Sequence, residues 1–237
     1  MLFRSGYRFG MKRSFINKIV DEAIEFSKSL NMTLPKFAYI SAEDWKKADQ
    51  DSWAEVFDLE LGWDVTDYGS DDFYKSGTCL FTLRNGSLKD ERYNKPYAEK
   101  MMIIEDGQVL PYHFHTYKME DILNRGGGTL CIKCYWATED DKLDTERPVE
   151  ITFDSQKVVF KPGDVIRIPV GSGVTLPPRL YHSIWAEDGK VMSWEVSKVN
   201  DDHTDNTYLA GCPRFSEIDE DEPMKWCLCN EYDKVRK

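Results

Sequence analysis

Two histidines, His113 and His115, sit one residue apart in Val109–His115, a stretch that reads as a strand. Side chains two apart in a strand share a face, so both imidazoles can reach one point in space. Glu120 follows five residues after His115, across an expected bend, and can bring a carboxylate oxygen to that point. A third imidazole, His182, closes the stretch Pro177-Pro178-Arg179-Leu180-Tyr181-His182. Three imidazoles and one carboxylate form a mixed nitrogen and oxygen donor set for a divalent transition metal, with positions left for water or substrate. A lone strand histidine is more often packed or solvent-facing than a ligand. Here three of the chain's four histidines and a carboxylate fall in ligand order, in segments that read as strands. Two ligand-bearing strands that meet at one metal point to a closed jelly-roll barrel with its site in the mouth.

The remaining pattern agrees with that architecture. From Cys79 the chain becomes short strands separated by turns. Cys79–Leu83 precedes Asn85-Gly86, while Lys100–Ile104 and Val109–His115 flank Asp106-Gly107, a hairpin signal. Thr129–Trp136, Val149–Phe153, Val158–Phe160 and Val165–Ile168 follow, and His182–Trp185 and Val191–Val196 flank Asp188-Gly189. Many short strands in one chain mean a sandwich or barrel. Before them, Phe15, Ile16, Ile19, Val20, Ala23 and Ile24 recur at helical spacing from Ser14, an expected N-cap, and predict an amphipathic helix that ends near Asn31-Met32. Ser41-Ala42-Glu43-Asp44 reads as a capping box with Asp for the usual Glu. The chain is expected to be one domain over residues 1–237. Residues 1–10 would be an N-terminal extension, since Met11 could itself be a start, residues 11–75 a helical layer packed outside, and residues 76–237 the β-barrel with a closing tail.

Composition excludes several classes of partner. The formal charge is −11, from 31 basic and 42 acidic residues, and the basic ones are scattered. Nucleic-acid or anionic-membrane binding needs a concentrated positive face. No apolar run is long enough to cross a bilayer, and Met1–Gly10 lacks the apolar stretch of a secretory signal. The six cysteines do not form a disulfide scaffold. Cys131 and Cys134 face opposite sides of an expected strand, and Cys227 and Cys229 have no second pair to complete a zinc site. All six read as reduced, which predicts a cytoplasmic protein. Asn124-Arg125-Gly126-Gly127-Gly128 reads first as a sharp re-entry into the strand at Thr129. Arg125 stays open between a ligand contact and a structural role. The acidic tail from Asn200 to Pro223 reads as a solvated loop, and Trp226–Asn230 as a returning strand that carries it across the mouth. His203 has no partner spacing and reads as structural or exposed.

A family resemblance follows from these residues. His113-x-His115-x4-Glu120 resembles the first cupin motif, and Gly171-x5-Pro177-x4-His182 the second, with Arg179 where that motif usually has glycine. Phe57–Thr66, Leu83–Ser87, Tyr97–Lys100, Asp121–Gly128 and Asp219–Pro223 together resemble the bacterial D-lyxose isomerases, over most of the chain from Met11 onward. The resemblance implies a cupin (double-stranded β-helix) barrel, all-β-dominated with N-terminal helices packed outside. It also implies a homodimer, a contact for which the tryptophans of the N-terminal layer are an alternative use to core packing. The implied activity is a metal-dependent interconversion of D-lyxose and D-xylulose, and of D-mannose and D-fructose, through a cis-enediol. Manganese is the implied metal, though sites of this composition also accept cobalt, zinc, iron or nickel. The competing readings are an iron cupin dioxygenase and a non-catalytic sugar-binding cupin.

Such chemistry needs a Lewis acid, a base for the carbon-bound proton, and donors for the developing negative charge. Glu195 is the expected base. It sits in the mostly apolar Met192–Val196, where a carboxylate is costly to bury without a partner and could carry the raised pKa of a base. Its matching residue in the family pattern faces the metal. Lys100 enters the apolar Met101–Ile104 and is expected to point inward. Glu120 could shuttle a proton as well as bind metal. The resemblance implies substrate contacts from Lys100, Asp205 and Arg214, with His113 and Glu195 also lining the substrate.

Overall fold

The computed structural model describes residues 10–237. The expected extension over residues 1–10 therefore lies, apart from Gly10, outside the described residues. A short strand β1 (Met11–Lys12) leads into helix α1 (Arg13–Ser29), followed by α2 (Ala42–Trp45) and α3 (Ala54–Asp58). Then come β2 (Gly62–Thr66), β3 (Thr78–Arg84), β4 (Tyr97–Ile104), β5 (Val109–His115), β6 (Glu120–Ala137), β7 (Leu143–Asp144) and β8 (Val149–Phe153). The remaining strands are β9 (Gln156–Phe160), β10 (Val165–Ile168), β11 (Gly173–Leu176), β12 (Leu180–Lys198), β13 (Asn206–Tyr208) and β14 (Ile218–Asp219). No described helix is long and apolar enough to cross a membrane.

The long strands β6 and β12 pair antiparallel with each other, and each serves two sheets. The second half of β12 pairs with β4, and its first half with β5. β6 pairs with β11 near Glu120–Leu123 and with β10 near Leu130–Lys133. One sheet therefore runs β2-β3-β4-β12-β6-β11-β8-β9, and the other joins β13, β5, and the opposite halves of β12 and β6 with β10. Leu80, Met102, Ile104 and Ile122 of the first sheet meet Leu110, Ile132, Ile168 and Ile184 of the second in one core. The result is the all-β-dominated cupin-type barrel, with α1 on its outside. Ile16, Ile19, Val20, Ala23 and Ile24 pack on Trp63, Phe81, Met101, Ile103 and Met192. This explains the unbroken apolar run of β4. Met101 and Ile103 face the helix, while Met102 and Ile104 face the barrel core, so both faces of the strand are buried.

Several local expectations change. Asp106-Gly107 does turn, with Gly107 at φ +72°, but β4 and β5 do not pair with each other. Both are taken up by β12, one on each half. Asp188-Gly189 is a bulge within β12 and not a hairpin. Opposite it, Gly126–Gly128 lie inside the continuous β6. A Cβ on Gly127 would meet Lys190 O at 1.9 Å, and one on Gly128 would meet Glu187 O at 2.4 Å. The glycines therefore admit the bulge of β12, and Arg125 points to solvent. Within residues 11–75, β2 joins the main sheet beside β3. Residues 225–228 form no strand, and Cys229–Lys234 is a 3-10 helix. Ser14 is not the N-cap of α1. That position is Lys12, and the Ser14 N–H and hydroxyl donate instead to Asp221 at 2.9 and 2.6 Å. The acidic tail thus places anionic charge where the helix dipole favours it. Ser41 does cap α2, accepting from the Asp44 N–H at 3.1 Å.

The same tail closes on Arg13, whose side chain is fully buried. Its guanidinium donates to Glu220 at 2.8 Å and to Glu231 at 2.6 Å. The Arg13 hydrogen bond outweighs burial and lowers the Glu220 pKa from 4.5 to about 2. A depressed carboxylate stabilises the fold fully above its unfolded value and loses that contribution as pH falls from about 4.5 to about 2. The carboxylate is 46% exposed, so solvent screening reduces the effect to about 1 kcal/mol. Glu220→Gln is expected to melt below the parent at pH 7 and to converge with it only as pH reaches about 2. Denaturant midpoints at the two pH values test this, and an equal gap at both would refute it.

Candidate metal and sugar site

Register places the site. On β12, Glu195 stands opposite Lys100 of β4 and Ile122 of β6. Ile122 belongs to the barrel core, and cross-strand partners share a face, so Lys100 and Glu195 also point inward. His182 of β12 stands opposite His113 of β5, and Ser197 opposite Glu120 of β6. Alternation brings His115 to the same side as His113. Among the described residues, His113, His115 and His182 form a group able to hold a metal ion, with ligand atoms all within 4.8 Å of one another. Glu120 reaches two of them, with Oε2 at 3.3 Å from His115 Nε2 and Oε1 at 3.1 Å from His182 Nε2.

Hydrogen bonding fits these donors to a cation. His113 Nδ1 lies 2.9 Å from Pro111 O, and His182 Nδ1 lies 3.0 Å from Leu180 O. A carbonyl only accepts, so each Nδ1 carries the proton and, in the neutral ring, leaves Nε2 bare. Burial first, then the neighbouring imidazoles, hold His113 well below its ordinary pKa, which keeps that ring neutral. Burial and the Lys118 ammonium likewise lower His115. With the proton on Nδ1, a neutral His182 turns a bare Nε2 toward Glu120 Oε1, a buried oxygen with no hydrogen-bond partner. Converging lone pairs of this kind call for a cation between them.

The turn before His182 explains the departure from the cupin pattern. Arg179 adopts φ +63°, the left-handed region that glycine enters without strain. Its N–H donates to His115 O at 2.8 Å, and its guanidinium holds Thr138 O and Asp141 at 2.8 Å. The guanidinium also lies over the Phe114 ring, 4.9 Å from its centroid. These contacts offset a backbone cost of about 1–3 kcal/mol and tie the His182 turn to the His115 strand.

Lys118 and Asp202 are site residues that sequence reasoning missed; Lys118 is the more central. It lies between β5 and β6, only 2% exposed, and bridges two carboxylates. Nζ stands 2.6 Å from Glu195 Oε1 and 3.0 Å from Glu120 Oε2. Burial opposes its charge, but Glu120 and Glu195 outweigh that and raise its pKa. Burial alone would raise Glu120, yet Lys118 and His115 hold it well below the usual carboxylate range. Lys118 is therefore the partner that compensates for the burial of Glu195.

The tail supplies the remaining wall, a strap over residues 199–216. β13 pairs with β5, Tyr208 opposite His113 and Asn206 opposite His115. Arg214 donates to Asp64 at 2.5 Å and to Asp202 at 3.0 Å. Lys100 Nζ donates to Asn200 at 2.7 Å and lies 3.3 Å from Asp202. Burial works against the Asp202 charge, but Arg214 and Lys100 hold its pKa well below the ordinary value. The resulting cavity, about 40 Å³, is lined by the three imidazoles, Glu120, Glu195, Lys100, Lys118, Asp202 and Arg214, among others. Asp205 is not in that lining. Its carboxylate accepts the N–H of Tyr117 at 2.7 Å and of Lys118 at 3.0 Å, and so fixes the loop that carries Lys118. His203 is exposed and pairs with Glu60 at 2.9 Å.

Comparison with known proteins gives a consistent picture. The family model described as D-lyxose isomerase matches residues 11–232. A D-lyxose/D-mannose isomerase from Serratia proteamaculans is 46% identical over 224 residues, 94% of this chain and 98% of the relative. One of the same description from Escherichia coli O157:H7 is 45% identical over 228 residues, 95% of this chain and 100% of the relative. Among solved structures, the Cellulomonas parahominis L-ribose isomerase with L-ribose superposes with a TM-score of 0.56 at 15% identity, covering 90% of this chain and 100% of that one. At that identity the likeness concerns the fold alone.

Proposed function

The chain belongs to the D-lyxose isomerase family and is an aldose–ketose isomerase, and from that premise we propose that it interconverts D-lyxose and D-xylulose, and D-mannose and D-fructose, with a divalent ion held by His113, His115, His182 and Glu120. The observation that carries this reading is the convergence of bare imidazole nitrogens and a carboxylate beside a second carboxylate held by a buried lysine. The substrates follow the names of the relatives. Held by these residues, a divalent ion, with manganese as the first choice, would supply Lewis acidity at the substrate carbonyl.

The protein's own groups would do the rest. Glu195 Oε1, at the inner face of β12, takes the proton from the carbon next to the carbonyl and returns it to the former carbonyl carbon, while the hydroxyl proton passes from the one oxygen to the other, through a cis-enediol. Lys118, 2.6 Å from that oxygen, holds Glu195 in place and offers an N–H to the negative charge that develops. Glu120 is oriented by the same ammonium, which leaves its second role, proton shuttle, compatible with the geometry. Lys100 and Arg214, now paired with Asp202, present charge to sugar hydroxyls at the far side of the cavity. The enzyme works in the cytoplasm, in keeping with six free cysteines, and as a homodimer, in keeping with the family resemblance.

Purified protein is expected to convert both aldoses to ketoses, to lose that activity on chelation, and to regain it with manganese. Product analysis under the three conditions checks this. Activity unaffected by complete metal removal would overturn the metal-dependent reading. Folded, metal-loaded protein that makes no ketose would overturn the substrate assignment in favour of a sugar-binding cupin, or of a dioxygenase if oxygen is consumed instead.

A further inference from the structure

The cavity at the imidazoles is too small for the chain of a sugar. It measures about 40 Å³, and a water occupies about 10–15 Å³ on this scale, so it has room for roughly three waters. Something must yield when a pentose binds, and the walls differ in how firmly they are held. β4, β5, β6 and β12 are tied to one another by continuous ladders. The stretch 199–205 of the strap has no such ladder. Its ends are anchored, Asn200 by a reciprocal pair with Asn85 at 2.9 and 3.0 Å and by Lys100 and Lys118 at 2.7 and 3.2 Å, and Asp205 by the N–H groups of Tyr117 and Lys118. Asp201 and His203 are held by contacts to Lys89 and Glu60 with largely exposed partners, which are worth little.

Behind this wall lies a second cavity of about 210 Å³, lined by Thr82, Asn85, Ser87, Leu88, Lys89 and His203, among others. Asp202 lines both cavities. Its carboxylate spans Lys100 and Arg214, at the boundary the two cavities share. The outer cavity offers hydroxyl, amide, carboxylate and ammonium groups, which match a polyhydroxylated chain because each hydroxyl both donates and accepts.

Resting on the isomerase reading above, we propose that the two cavities become one when sugar binds, Asp202 giving way to sugar hydroxyls, and that the outer cavity receives the far end of the carbon chain. A pentose and a hexose present the same reacting end to the imidazoles and differ only at that far end. The outer cavity is then where chain length is discriminated.

Leu88 is 60% exposed at the outer cavity, so Leu88→Trp narrows it without disturbing the core, and Lys89→Trp does so from the next position. At least one of the two is expected to lower the ratio of kcat/KM for D-mannose over D-lyxose by about tenfold, the scale of one methylene-sized group gained or lost in a pocket. Calorimetry with D-mannitol and D-arabinitol, the polyols obtained by reducing the two sugars, gives a reading independent of turnover. D-mannitol should weaken by a similar factor relative to D-arabinitol. Ratios within about twofold of the parent for both variants, in both assays, overturn the proposal. A parent enzyme that isomerises neither sugar overturns the isomerase reading instead, and the polyol titrations then decide the role of the outer cavity on their own.

Discussion

Glu195→Gln is expected to bind metal and sugar with little change and to turn over about 10²–10⁴-fold more slowly. Glutamine keeps the shape of the side chain and an oxygen that accepts from Lys118 Nζ, now at 2.6 Å from the carboxylate. It lacks only the capacity to take a proton. The substitution leaves His113, His115, His182 and Glu120 in place, so metal content by elemental analysis should match the parent. Steady-state rates should show the loss in kcat, with KM little altered. A variant that retains near-normal kcat removes Glu195 from the proton transfer.

Lys118→Met should affect both folding and activity. It leaves Glu120 and Glu195 buried without the ammonium that now lies within 3.0 Å of each. Breaking a buried ion pair by removing one partner costs about 3–5 kcal/mol. For a chain of this length that lowers the melting temperature by about 6–20 °C. A bound divalent cation would partly replace the lost charge, so the shift is expected to be largest in chelator and smaller with manganese. Thermal melts of both proteins in the two buffers provide the comparison. A melting point within about 2 °C of the parent in chelator would show that the carboxylates are compensated elsewhere. Activity should fall with Lys118→Met as well, because Glu195 loses the contact that holds it.

Most of the barrel could be read in advance because its signals are local. The strand edges of β3, β8 and β10 follow from apolar runs between turn residues, and the face of α1 from its spacing. The three histidines and Glu120 were visible because strand alternation and order in the chain suffice to group them. Lys118 escaped because alternation was not carried through the loop. Tyr117 and Met119 are exposed while Lys118 and Glu120 are buried, so the period of two that places Glu120 inward places Lys118 inward too. Asp202 escaped for a different reason. It lies in an acidic run that looks solvated, and only Lys100 and Arg214, both distant in sequence, make its burial tolerable. Strand partners were also hidden. Asp106-Gly107 marks a true turn, but the strands on either side find more ladder along β12 than with each other. The end of the chain is set by tertiary contacts as well. Trp226 donates to Asp21 of α1 at 3.0 Å, which local propensity cannot foresee.

His182 and Glu195 ride on the same bent strand, with the Asp188-Gly189 bulge between them. β12 therefore acts as a caliper that sets the gap between metal-facing and proton-transferring groups. Its setting has a parity. A single-residue insertion or deletion in the bulge would turn Glu195 toward α1 and bring Trp194 or Val196 into the cavity, because every side chain beyond the change switches face. Evolution or design can thus lengthen this enzyme freely in its surface turns, while the bulge tolerates changes only in steps that preserve an even count.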